Sequence, residues 1–463
     1  MEKSDNIQMI TGDPKKAIVK LAIPMMLSML LIMLYNIADS IWVAGLGGDA
    51  LAAVGFITPL FMVLVGLGNG IGAGANSLIA RSIGAKNPAQ ANNAALHAIV
   101  LSIIVSVVFT ILLEAFMVPI LKAMGAGNTM EYALSYSYIV FGFLFIFVYS
   151  GVASAIFRSE GDMRRATIAI AVTAIMNIIL DPIFIYVLDF GIAGAAWATV
   201  ISATLSCLVM SYWIWGKKDM FLDLSPKNFH YSTQIMIDTL QVAIPSTLEN
   251  VVFSILAIAI NSMLVMASGT TAVAVYTASM RIVQFTMIPL LGIGTAVLTV
   301  AGVAYGAHNY ENLKTAHSYS IKLGFAISIA LGIVMFVFSA QLAGLFAYTE
   351  ASAGLAPEIA SAISVLSLFV LAIPHGIMSS MMFQGVGKGT YSLIITLLRS
   401  MLLEAVFAYV FCFVFGWGVA GIYGGVVFGC FVGGTVGYIW AKLFIRRFKA
   451  ISVRKYAPKD SNQ

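Results

Sequence analysis

Asp39, Asn177, Asp181 and Thr199 are polar side chains set within long apolar runs. Two carboxylates, an amide oxygen and a hydroxyl are hard ligands. Such a set can hold a dehydrated sodium ion, or take up a proton, because neighbouring acids in a poor dielectric titrate as a pair. The spacing favours convergence. In "LYNIADSIWVAG", Leu34 to Gly45, Asn36 precedes Asp39 by three residues and shares its face of a helix. In "MNIILDPIF", Asn177 and Asp181 stand at i, i+4. Pro182 has no N–H, so the carbonyl of Ile178 is expected to lose its usual partner and the helix to bend there.

The elements that must position these groups are membrane helices. The chain has 463 residues, of which 60% are hydrophobic and only 10% charged, against about 25% charged in soluble domains. Twelve apolar segments fall at 18–43, 51–80, 91–118, 132–157, 166–188, 192–215, 235–265, 272–303, 316–343, 358–383, 391–415 and 419–444. Each is long enough, at about 1.5 Å per residue, to cross about 30 Å of hydrocarbon. Strand alternation is absent, so helices must satisfy the backbone. With the N-terminus placed in the cytoplasm, twenty-one Lys and Arg fall inside, Lys122 alone falls outside, and three lie within segments. Both termini are therefore expected in the cytoplasm of a multi-pass cell-membrane protein. The net charge of +5 is then a topology signal, and nucleic acid is excluded as a partner. Cys207, Cys412 and Cys430 lie within apolar segments and read as small buried hydrophobes.

The chain repeats itself. Ile23-Pro24 recurs as Ile244-Pro245 at an offset of 221, and "GAKN" at Gly84 recurs as "GAHN" at Gly306 at 222. Phe157–Gly161 echoes Phe383–Gly387 at 226, and "GIAG" at Gly191 echoes "GVAG" at Gly418 at 227. The expected fold is thus an all-α polytopic membrane protein of twelve helices. Its two six-helix bundles are related by a pseudo-two-fold along the membrane normal, with a solute pathway between them. The expected boundaries are an N-lobe over 1–216, a cytoplasmic linker over 217–234, a C-lobe over 235–450 and a tail over 451–463.

The depths agree with a shared site. Asp39 lies in the outer half of helix one, Asn177 and Asp181 in the outer half of helix five, and Thr199 one to two turns into helix six. The repeat sets Asn261 opposite Asp39, and Phe407 or Ala408 opposite Asp181, so the acid pair belongs to one half. Intramembrane acids usually mark ion pathways, whereas acids that merely tie helices together would be needed in both halves. The C-lobe carries Glu249, Arg281, Arg399 and Glu404. An ion pair of Arg281 with Glu249 or Glu404 and a substrate role are both open for them. His97 and His375 read as packing residues without evident partners. "GVGKGT", Gly385 to Thr390, reads as a short hairpin, because Gly389 stands where a phosphate loop needs Ser or Thr. "GLGNGIGAG", Gly66 to Gly74, reads as a close-packing helix face. No nucleotide-binding pattern is present, so uphill transport would have to draw on an ion gradient.

These residues carry a family resemblance over essentially the whole chain. "LYNIADSIWVAGLGGDALAAVG", "FRSEGDMRRA", "MNIILDPIFIY" and "MRIVQFTMIPLLGIGTA" resemble the prokaryotic multidrug and toxic compound extrusion (MATE) transporters, on their DinF-like branch. The resemblance implies a V-shaped pair of bundles, probed by small-molecule drugs and toxins within a lipid bilayer. It implies export of amphipathic organic cations in exchange for Na+ or H+, by a protein that is not an enzyme, needs no cofactor beyond that ion and acts as a monomer. It implies a cation site at Asp39, Asn177, Asp181 and Thr199, the candidate place for Na+. Tyr136, with Tyr138 two residues on, matches a family tyrosine; Asn36, Pro24 and Pro182 are supporting positions. The alternatives are a lipid-linked precursor flippase of the same superfamily, disfavoured by the scarcity of internal cations, and a membrane-embedded enzyme or scaffold.

Overall fold

A computed structural model describes residues 2–217, 219–346 and 354–456. Twelve spans, here α1 to α12, follow when each sharply bent helix pair counts as one; ten are single helices long and apolar enough to cross a membrane. In the first half they are α1 Pro14–Ala44, α2 Gly48–Gly84, α3 Pro88–Ala123, α4 Gly127–Gly142 with Leu144–Ser159, α5 Met163–Val187 and α6 Gly191–Gly216. In the second they are α7 Thr233–Ser268, α8 Thr270–Gly306, α9 Tyr310–Val337, α10 Ala356–Ala372 with Pro374–Gly385, α11 Gly389–Val414 and α12 Gly418–Tyr456. A short helix, Glu2–Thr11, precedes them. The bends are 48° in α4 and 41° in α10, the latter at Pro374.

The chain forms two compact units, Met1–Gly12 with Ile23–Thr247, and Asp13–Ala22 with Leu248–Gln463. Helices α1 and α7 each change unit next to their internal prolines, Pro24 and Pro245. The first unit packs through missing side chains. A Cβ at Gly68 of α2 would lie 3.2 Å from the Cα of Val148 in α4, and one at Gly151 would lie 3.0 Å from the carbonyl carbon of Gly68. The run Gly66–Gly74 is therefore the helix face expected from its glycines, and α2 and α4 meet backbone to backbone. The second unit has a longer seam. Gly421, Gly425, Gly429, Gly433 and Gly437 recur every fourth residue of α12 and lie against Phe411, Ala408, Glu404, Arg399 and Ile395 of α11. Gly385 to Thr390 is the turn between α10 and α11, as its sequence indicates. Apolar side chains such as Ile103, Ile104, Val107, Val108 and Ile111 of α3 point outward, as a lipid-facing surface requires.

The segment after α6 is tied to the first unit. Glu160 Oε2 accepts the backbone N–H of Phe221 (3.1 Å) and of Leu222 (3.2 Å). Asn93 exchanges two hydrogen bonds with the backbone of His230. His97 Nε2 accepts from the N–H of Ser232 at 3.0 Å, its Nδ1 lies 2.8 Å from the Asn93 carbonyl, and Phe229 packs on its ring. His97 thus has the partners that were not visible in the sequence, because they come from 135 residues away. Arg165 reinforces the region through Asp219 at 2.6 Å, Asp162 at 3.5 Å and the Trp213 ring.

Burial holds the Glu160 carboxyl well above its ordinary value of 4.5, at about 8, against the opposing pull of the Leu222 N–H. A raised acid favours the docked, protonated state, so that contribution is complete below about pH 4.5 and is lost as pH rises toward about 8. Hydrogen exchange at the Phe221 and Leu222 amides, corrected for intrinsic rates, is expected to accelerate across that window. Glu160→Gln is expected to flatten the dependence; an unchanged slope in that variant would remove Glu160 as its source.

Candidate functional site

Two ties hold α1 against α5. Thr167 Oγ1 donates to the Pro24 carbonyl at 3.0 Å, and Ser28 Oγ reaches both that carbonyl and Thr167 at 2.9 Å. Farther along both helices, the Tyr186 hydroxyl donates to the Trp42 carbonyl at 2.6 Å, and the two rings meet edge to face. Pro24 therefore acts through its carbonyl, an acceptor shared by two helices, while α1 runs unbroken through it. Asp39 and Asp181 lie between these ties.

Helix α6 closes the third side. Gly194 lets α6 approach the backbone of α5 at Phe184 and Ile185, and one turn later Thr199 faces Asn177. The Asn177 amide Nδ2 donates to Asp181 Oδ1 at 3.2 Å and to Thr199 Oγ1 at 3.3 Å. Asn177 and Asp181 are fully buried. The Asp39 and Asp181 carboxyls are within interacting reach of each other, an arrangement that favours a shared proton or a cation between them. The Tyr136 hydroxyl is within the same reach of Thr199. Three buried acceptor oxygens are left without a donor: Asp39 Oδ1, Asn177 Oδ1 and Asp181 Oδ2. Buried acceptors are normally satisfied, so these three, two of them on the acid pair itself, make the cluster a candidate receptor for a proton or a small hard cation.

The structure brings together Asp39, Asn177, Asp181, Thr199 and Tyr136. It chooses Tyr136, which is buried, over Tyr138, which is exposed. Asn36 is exposed and stays outside the network. Helix α5 passes through Pro182, where the Ile183 N–H turns to the Leu180 carbonyl, and widens into a π-turn over Ile183–Val187. Tyr35 was overlooked. It stands one helical turn before Asp39 and close enough to both acids to sense their charge. Its i, i+4 relation to Asp39 was the available signal.

In the second unit Glu249 accepts from Ser392 Oγ at 2.5 Å and from Gln384 Nε2 at 3.3 Å, and Ser392 also meets Ser380. The expected partner Arg281 is exposed, and no ion pair of it with Glu249 or Glu404 occurs among the described residues. The guanidinium that both acids sense is that of Arg399, which is buried. His375, expected to be packing alone, also bonds the Phe431 carbonyl and Thr435 across from α10 to α12. The three cysteines are buried and unpaired with one another, as expected.

A repeated helical membrane protein with a polar receptor inside one half has the build of a transporter. The MatE family model matches residues 24–183 and 245–410, and the chain belongs to that family. It is 28% identical over 309 residues to the probable multidrug resistance protein YoeA of Bacillus subtilis (strain 168), covering 65% of this chain and 66% of that protein. It is 26% identical to the multidrug export protein MepA of Staphylococcus saprophyticus, covering 84% and 85%. Among solved structures, an outward-facing multidrug resistance MATE family transporter of the MOP superfamily matches at 40% identity and a TM-score of 0.94, over 97% of this chain and all of that one (100%). A MOP superfamily transporter from Pyrococcus furiosus Vc1 (DSM3638) matches at 40% and 0.93, over 97% and 100%. The all-α, multi-pass fold expected from the sequence is thus the fold of this family.

Asn177 orients both Asp181 and Thr199, so Asn177→Ala is expected to weaken cation binding by about tenfold or more, the scale of one hydrogen bond to a charged group. Thr199→Val is expected to cost less, because Asp181 keeps its amide donor. Proton release and sodium titration on the purified variants measure both; equal affinities in Asn177→Ala and the parent would remove the amide from the site.

Proposed function

We propose that the chain is a secondary active multidrug exporter of the cell membrane, moving amphipathic organic cations outward in exchange for an inward proton or sodium ion. The observation that carries this reading is the cluster of three unpartnered acceptor oxygens around the Asp39–Asp181 pair. The relatives named for multidrug resistance and export support the substrate class. The excess of Lys and Arg on one side of the spans supports cytoplasmic termini.

The mechanism follows from charge balance. With one proton or sodium ion bound, the charge of the Asp39–Asp181 pair falls from −2 to −1 and the two carboxyls share that ion, which draws α1 and α5 together. Once the ion leaves, two carboxylates at contact distance repel, and the least constrained element yields. Helix α1 is that element, since it is held to α5 mainly by the Pro24–Ser28–Thr167 and Trp42–Tyr186 ties. Displacing α1 alters the room available to drug, so ion and drug compete through the position of one helix. Nothing in the exchange requires a covalent intermediate; the protein acts by its carboxyls and by moving a helix.

Gradient-driven dye efflux from membrane vesicles tests the proposal. Asp39→Asn and Asp181→Asn are each expected to reduce efflux by roughly tenfold or more, while leaving the protein in the membrane. Undiminished efflux by both variants would overturn it. Sodium and pH gradients imposed separately identify the coupling ion.

A further inference from the structure

The second unit contains a buried cation that the exchange reaction has not used. Arg399 is 6% exposed, lies in a π-turn of α11 over Leu397–Leu403, and is housed in a slot made by absent side chains. A Cβ at Gly433 of α12 would fall 2.5 Å from the Arg399 Cα and 3.0 Å from its Cγ. One at Gly376 of α10 would fall 3.3 Å from its Cδ and 3.5 Å from Nη1. Two helices have therefore given up side chains at the places this one occupies. Inside the slot Nη1 donates to Cys430 Sγ at 3.9 Å, and Cys430 donates on to the Ala372 carbonyl at 3.7 Å.

The groups facing the guanidinium come from every neighbouring helix. Glu249 of α7 and Glu404 of α11 are both within its electrostatic reach, as are His375 of α10 and Cys430 of α12. Neither acid is in direct ion-pair contact with it; Glu249 is held instead by Ser392 and Gln384. A guanidinium keeps its charge in any protein environment, so one of the two buried acids has a permanent counter-charge close by, and the other stays neutral by carrying its own proton.

The repeat gives this arrangement its meaning. At the drifting offset of 226 to 227, Glu404 maps on Ile178 or Asn177, and Arg399 maps on Thr173 or Val172. The second unit thus holds an acid at the level of the first unit's ion receptor. One turn below it stands a fixed cation, where the first unit has a neutral threonine bonded to its own helix at Ala169.

We propose that Arg399 is a built-in cation that keeps mobile ions out of the second unit, so that coupling is confined to Asp39 and Asp181. Arg399 acts through Glu249 and Glu404, as a positioning residue that decides which unit is ion-coupled. The inference rests on the ion-exchange reading above. Removing the charge leaves the one carboxylate it balances without compensation, and a buried uncompensated charge must take up a proton or a cation.

The test counts ions on the purified full-length protein, using sodium titration calorimetry and proton release into an indicator dye after an alkaline step. Arg399→Gln and Arg399→Met, the second filling the slot without charge, are each expected to bind about one cation more per chain than the parent. Arg399→Lys, which keeps the charge but not the shape, is expected to match the parent; a merely structural role would group it with the other two. Thr173→Arg, which moves the guanidinium to the matching place in the first unit, is expected to lose the ion bound there. Folded Arg399→Gln or Arg399→Met protein with the parent's ion count would overturn the proposal, as would a Thr173→Arg protein that keeps its ion. Asp181→Asn separates the two readings. If it retains the parent's ion count, the first-unit site is wrong, whatever the Arg399 variants show.

Discussion

A polar group inside a bilayer has no water to turn to, so the protein must supply its partner. Many buried hydroxyls among the described residues obey by bonding a carbonyl of their own helix, as Ser82, Ser202 and Thr239 do. At the Asp39–Asp181 pair three unpartnered atoms lie together. Its neighbours provide one amide donor and leave three acceptor oxygens open. Such an incomplete element is what the proposed ion exchange would use, since a bound ion would complete it.

Close backbone approach is the second organising feature. Gly68 and Gly151 join α2 to α4, and the glycines every fourth residue of α12 join it to α11. Without a hydrophobic force between helices in lipid, such packing is what holds them. The same seams place chemistry. Gly194 brings α6 near enough for Thr199 to meet Asn177, and Gly429 and Gly433 lie against Glu404 and Arg399.

The two units are copies that have diverged in charge. The first carries an acid pair with open acceptors. The second carries Glu249 with a complete set of donors and Arg399 as an internal counter-charge. Two halves built alike therefore differ in the buried charges they carry.

Much of this was legible in the sequence. The spans follow from runs of apolar residues, because helix length and hydrocarbon thickness are matched. The core of the site, Asp39, Asn177, Asp181 and Thr199, follows from depth and from i, i+4 spacing, which are properties of one helix at a time. What fails from sequence is what depends on rotation of one helix about its axis relative to another. Asn36 shares a face with Asp39 but is exposed, Tyr136 rather than Tyr138 is buried, and Arg281 is exposed while the buried cation near Glu249 and Glu404 is Arg399. His97 had no visible partner because Ser232 reaches it from beyond three further spans. The sequence by itself determined the helices, their depth and which half holds the acids, since these are set by local hydrophobicity and covalent spacing. Only the tertiary structure decided which faces meet, because that depends on glycines and bends summed over several helices.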